Sequence, residues 1–76
     1  MLFSEKVRFL RKNHPSKLSQ TMLASALGVS QRTVSHWELG ELEPSLKDME
    51  NLCLFFGVSA DYLLGLPKGM PYPDRD

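Results

Sequence analysis

Four side chains on one short stretch have the chemistry to read the edges of DNA bases. Between Gln31 and Trp37 the apolar residues are Val34 and Trp37. At about 100° of turn per helical residue these two define a buried face. Gln31, Arg32, Ser35 and His36 then project from the outer side or from the exposed N-terminus of the same helix. Glutamine can pair bidentately with adenine and arginine with guanine, while serine and histidine are adaptable partners. The stretch from Gln31 to Trp37 holds no acid. A helix face with no task but solubility usually mixes Glu with Lys, whereas a face that meets phosphates excludes acids.

The other reactive side chains point to no catalysis. His14, His36 and Cys53 stand at no metal-ligand spacing. No glycine-rich phosphate loop or nucleophile elbow is present. The expectation is a protein that is not an enzyme, with no metal and no cofactor. Cys53 is the sole cysteine and lies in an apolar run, so it reads as a small core residue in a reducing cytoplasm. The segment Met1-Leu2-Phe3-Ser4-Glu5-Lys6 lacks the pattern of a signal peptide. No run approaches the roughly 18 apolar residues that span a bilayer.

The elements that must position these groups are helices. No segment alternates apolar and polar residues as a strand would. Instead one boundary pattern recurs: Leu18-Ser19 with Leu23, Val29-Ser30 with Val34, and Val58-Ser59 with Leu63. Each serine can accept from an orphan N–H of a first helical turn, and the flanking apolar pair can close as a staple. Five helices follow, at about Ser4–Lys12, Gln20–Leu27, Gln31–Leu39, Leu46–Phe56 and Ala60–Leu64. Ser45 caps the fourth, and Gly28, Gly40, Gly57 and Gly65 end the last four. The connection Gly28-Val29-Ser30 is so short that the second and third helices must cross steeply, with Ala24 allowing close approach. Leu23, Leu27, Val29, Val34 and Trp37 are the expected contacts of that corner. The fourth helix carries a wide apolar stripe, Met49, Leu52, Cys53 and Phe56 with Leu54 and Phe55, as in a helix that is central or covered by a partner. Residues 1–66 form one domain, and the proline-rich stretch 67–76 reads as an extended tail or linker.

Seventy-six residues with 42% hydrophobic and 24% charged side chains suit one small all-α domain. The net charge of zero is unevenly spread. Residues 1–37 hold six basic residues against Glu5 alone, and residues 38–76 hold three against eight acids. A basic half beside an acidic half fits one face built for a polyanion.

The run Leu18-Ser19-Gln20, Leu23-Ala24, Leu27-Gly28-Val29-Ser30, Val34-Ser35-His36-Trp37-Glu38-Leu39-Gly40 and Pro44-Ser45-Leu46 resembles the lambda-repressor-like (Cro and phage-repressor, xenobiotic-response-element) helix-turn-helix family. Similarity continues through Phe56-Gly57-Val58-Ser59 and Tyr62-Leu63-Leu64-Gly65, so it covers about residues 4–65, with the helix-turn-helix at about 20–39. The resemblance implies a compact five-helix DNA-binding domain. It further implies that Gln20 bonds a phosphate and braces Gln31, and that Gln31, Arg32 and Thr33 enter the major groove with His36 one turn on. By the same resemblance Arg11 pairs with Glu38 and Trp37 packs under the motif. Lys17, Ser19 and Gly40 are candidate phosphate contacts.

Two features depart from the family. The connection from Lys12 to Leu18 is longer than usual, and the loop after the third helix, Gly40-Glu41-Leu42-Glu43, is acidic where the family's is basic. Each lost phosphate contact flattens the log–log salt dependence by roughly 0.9, which favours modest monomer affinity and binding by two subunits. The expected function is thus a cytoplasmic transcriptional regulator, a repressor that binds double-stranded DNA at a palindromic operator as a homodimer. Phe55, Tyr62, Leu63 and Leu66 are the dimer-interface candidates, with Leu52 and Phe56 beside them read as core. The alternative is an antitoxin or protein-binding adaptor that uses helices four and five and binds DNA weakly or not at all.

Overall fold

A computed structural model describes residues 2–74 of the chain. Its five helices are α1 (Phe3–Lys12), α2 (Gln20–Leu27), α3 (Gln31–Leu39), α4 (Leu46–Phe56) and α5 (Ala60–Leu64), and no strand occurs among the described residues. The serine pattern explains four of the five starts. The hydroxyls of Ser19, Ser30, Ser45 and Ser59 accept from the backbone N–H of Met22, Thr33, Asp48 and Tyr62. α1 has no such cap and begins one residue before the expected Ser4. Its first turn is closed from the other direction, by the Glu5 carboxylate accepting from the Leu2 N–H at 2.8 Å.

The turn between α2 and α3 depends on Gly28, whose φ of 73° is left-handed. A Cβ placed there would meet nothing within 4 Å, so conformation rather than space selects glycine. Val29 N–H then bonds back to the Ala24 carbonyl at 3.0 Å, and Ala24 is buried at the crossing. α3 packs against both α1 and α2, α4 lies against α2 and α5, and α5 returns to α1. The core is Val7, Leu18, Leu23, Ala24, Val34, Trp37, Leu52 and Leu63. Trp37 is fully buried and its indole N–H has no hydrogen-bond partner among the described residues.

Two connections came from outside the apolar pattern. Lys6 is buried, donates to the Tyr62 carbonyl at the end of α5, and lies 4.8 Å from the centre of the Tyr62 ring. His14, in the connection between α1 and α2, stacks on Phe55 at 5.6 Å and meets Phe56 edge-on. Its Nδ1 accepts from Ser16 N–H, and its carbonyl accepts from Lys17 N–H. Lys17 takes a left-handed φ of 52°, unusual for a residue with a side chain.

Leu63 corrects one expectation. It was a dimer-interface candidate, but it is fully buried in the core of the single chain and has no surface to offer a partner. It lies four residues after the Ser59 cap, on the side of α5 that joins the core. Tyr62 and Leu66 are exposed, and Phe55 is half-buried beside His14. Residues 64–74 are all exposed, and Arg75 and Asp76 of the expected tail lie outside the described residues.

Candidate nucleic-acid interface

The site is built on the first turn of α3. Ser30 accepts from Thr33 N–H at 3.1 Å, and its hydroxyl also lies 2.9 Å from the Thr33 hydroxyl. Thr33, half-buried, is therefore engaged in the cap as well as lying on the helix's leading turn. Gln31 and Arg32 precede it and are exposed, and Arg32 forms no ion pair among the described residues. Ser35 and His36, one turn on, are half-buried. Lys17, Ser19 and Gly40 are exposed, with Lys17 and Ser19 leading into α2 and Gly40 closing α3.

Behind the exposed turn runs a chain of hydrogen bonds. Gln31 Nε2 donates to Gln20 Oε1 at 2.8 Å, and Gln20 Nε2 donates to Glu38 Oε1 at 3.1 Å. Arg11 meets Glu38 with two arms, Nε to Oε2 at 2.6 Å and Nη2 to Oε1 at 2.9 Å, while Nη1 reaches the Leu18 carbonyl at 3.0 Å. The two side chains are 11% and 4% exposed, so this bidentate pair is shielded from water on most sides. Burial by itself pushes the Glu38 carboxyl up. Hydrogen bonds from Arg11 and Gln20, with the charges of Arg11 and Arg8, outweigh it and hold Glu38 below the usual carboxylate range. The Arg11 guanidinium is correspondingly raised, chiefly by its hydrogen bond to Glu38.

Two further groups belong to this surface that the sequence pattern did not single out. Arg8 and Lys12 of α1 share with Arg11, Gln20 and Ser35 an open hollow of about 320 Å³. Their spacing of four residues was the available signal, since it puts both on one face of α1. The acidic loop also approaches α3: His36 Nε2 stands 4.0 Å from Glu41 Oε1. That contact depends on how the chain leaves α3 at Gly40, with Glu41 N–H bonded to the His36 carbonyl.

The arrangement offers exposed donors and acceptors on a helix N-terminus, flanked by cations. No helix among the described residues is long and apolar enough to cross a membrane. The chain is similar to known regulators. It is 38% identical to the HTH-type transcriptional regulator YqaE of Bacillus subtilis over 83% of this chain and 53% of that protein. It is likewise 38% identical to the HTH-type transcriptional activator BcrR of Enterococcus faecalis, over 84% of this chain and 30% of that one. The chain thus spans about half the length of YqaE and less of BcrR. Among solved structures, it superposes on the P22 c2 repressor in complex with a synthetic operator with a TM-score of 0.77. The identity there is 36%, covering 92% of this chain and 98% of that one. The profile of the helix-turn-helix family matches residues 7–63, which takes in α2, α3 and α4 whole and the part of α1 that carries Arg11, and the chain belongs to that family.

Proposed function

We propose that this protein is a sequence-specific DNA-binding transcriptional repressor of the cytoplasm. α3 lies in the major groove in this reading. Gln31 and Arg32 read bases, Thr33, Ser35 and His36 lie along the groove wall, and Gln20 bonds a phosphate through its backbone N–H at the start of α2. Lys17, Ser19 and Gly40, joined by Arg8 and Lys12, meet the sugar–phosphate backbone. The observation that carries the reading is the exposed pair Gln31 and Arg32 on the first turn of α3, with Gln31 braced from behind by Gln20. The similarity to a repressor solved with its operator supports it.

The protein acts as a homodimer on a palindrome. Two copies of α3 must stand about 34 Å apart to enter successive major grooves on one side of the duplex. Tyr62 and Leu66, both exposed, and the half-buried Phe55 are the candidate residues that join the copies.

A gel shift on the DNA upstream of the protein's own gene, against random duplex of equal length, tests this reading. The expected result is a complex on the upstream fragment that survives excess random competitor, and a much weaker one when one half-site is scrambled. Equal binding to both DNAs, or none, would favour a protein-binding adaptor instead.

A further inference from the structure

The two glutamines of the interface are chemically ambiguous by themselves. An amide carries an acceptor on one side and two donors on the other, and a half-turn about its last torsion exchanges them at little intrinsic cost. The exposed Gln31 could thus offer a base either face. A carboxylate has no such ambiguity, because it only accepts.

Glu38 is the carboxylate at the root of this chain. With Arg11 donating to both of its oxygens it remains ionised, and its Oε1 is shared between Arg11 Nη2 and Gln20 Nε2. Gln20 must therefore turn its NH2 group inward and its Oε1 outward. Gln20 Oε1 in turn requires a donor from Gln31, and Gln31 Nε2 supplies it. What remains free on Gln31 is its Oε1 and its second N–H. That donor–acceptor pair complements the N6–H and N7 of adenine; the reversed amide would set donors toward O6 and N7 of guanine. The Glu38 side chain is 4% exposed, so most of the water around it is displaced, whereas Gln31 is exposed and would average both orientations if nothing held it.

We infer that Glu38 is a specificity-determining positioning residue: through Gln20 it sets which way the Gln31 amide faces and so makes that position select adenine over guanine. The inference rests on the DNA-binding reading for its base preference, but the orientation of the amide is a property of the free protein. Glu38→Gln removes the polarity of the chain while keeping its shape, since an amide at 38 can present either atom to Gln20. Arg11→Met with Glu38→Gln removes both charges together and guards against a single variant that fails to fold.

The test has two arms on wild type and both variants. In the first, side-chain amide NMR of the free protein follows Gln31, which neither variant alters. In wild type the Gln31 amide protons are displaced from the shifts of a solvated glutamine by the bond to Gln20, and in the variants they move to those shifts. In the second arm, the operator position read by Gln31 is located as the one whose preference Gln31→Ala abolishes. There the ratio of Kd for guanine over adenine is about tenfold or more in wild type. In the variants it falls to about threefold or less. Folded variants that keep both the wild-type amide signals and the wild-type ratio would overturn the inference. A wild-type protein that prefers no DNA sequence would refute the DNA-binding reading instead, while the first arm still decides whether Glu38 orients Gln31.

Discussion

Removing Arg11 is the sharpest perturbation of the framework that holds α3 in place. Arg11→Ala leaves the Glu38 carboxylate with only the Gln20 N–H as a partner and leaves the Leu18 carbonyl without its side-chain donor. Breaking a buried pair from one side costs about 3–5 kcal/mol. The hollow beside Arg11 lets water approach, which places the expected loss near the lower bound, at about 3 kcal/mol. A domain of 76 residues has a total stability of roughly 4–11 kcal/mol. The variant therefore sits close to unfolding, with Tm lowered by roughly 12–24 °C. The loss must also depend on pH. In wild type the Glu38 carboxyl lies below its unfolded value, so its contribution is present above about pH 4.3 and disappears as pH falls through the folded value. In the variant burial acts unopposed by Arg11 and raises the carboxyl, so protonation relieves the variant as pH falls. Urea unfolding at pH 7 and pH 3 is the assay. The difference between wild type and variant is about 3 kcal/mol at pH 7 and becomes smaller at pH 3. An equal difference at both pH values would show that the aliphatic stem of Arg11, and not its charge, is what the fold uses.

Ser30→Ala removes the acceptor for Thr33 N–H and the partner of its hydroxyl, and lowers stability by about 1 kcal/mol in chemical denaturation. Lys17→Gly changes stability by about 0.5 kcal/mol or less, because relief of the left-handed φ offsets the added freedom of the unfolded chain. The same variant lowers the log–log salt slope of DNA binding by roughly 0.9 if Lys17 meets a phosphate. Arg32→Ala costs on the order of 1–3 kcal/mol of specific binding and relaxes preference at one base pair per half-site. An equal loss on specific and random DNA would make Arg32 a phosphate contact instead.

Much of the fold was legible because it is written in local chemistry. The four serines bond the third residue of their helices, and glycine follows each helix end, so α2 to α5 have the expected bounds. α1 was harder to bound because its first turn is closed by Glu5 reaching back, with no hydroxyl residue at the cap position. Inward positions such as Leu23, Val34, Trp37 and Leu52 followed from helical period. Leu63 was misjudged because five residues show too little periodicity to tell an inner face from an outer one. Within the site, Gln31 and Arg32 could be read from residue type and exposure. The Arg11–Glu38 pair came from resemblance alone, since no local rule joins residues 27 apart. The stacking of His14 on Phe55 was invisible for the same reason, and the approach of His36 to Glu41, only five residues apart, depends on how the chain turns at Gly40. They depend on where a loop returns in space, which side-chain packing decides.

The central claim is that the exposed turn of α3 reads sequence. Selection of bound duplexes from a random DNA pool, run in parallel with wild type and Arg32→Ala, tests it most directly. Wild type is expected to enrich a palindrome whose half-sites lie about 10 base pairs apart. Arg32→Ala is expected to enrich the same palindrome with one base pair in each half made indifferent. No enriched sequence with wild type, or an identical motif with the variant, would contradict the claim.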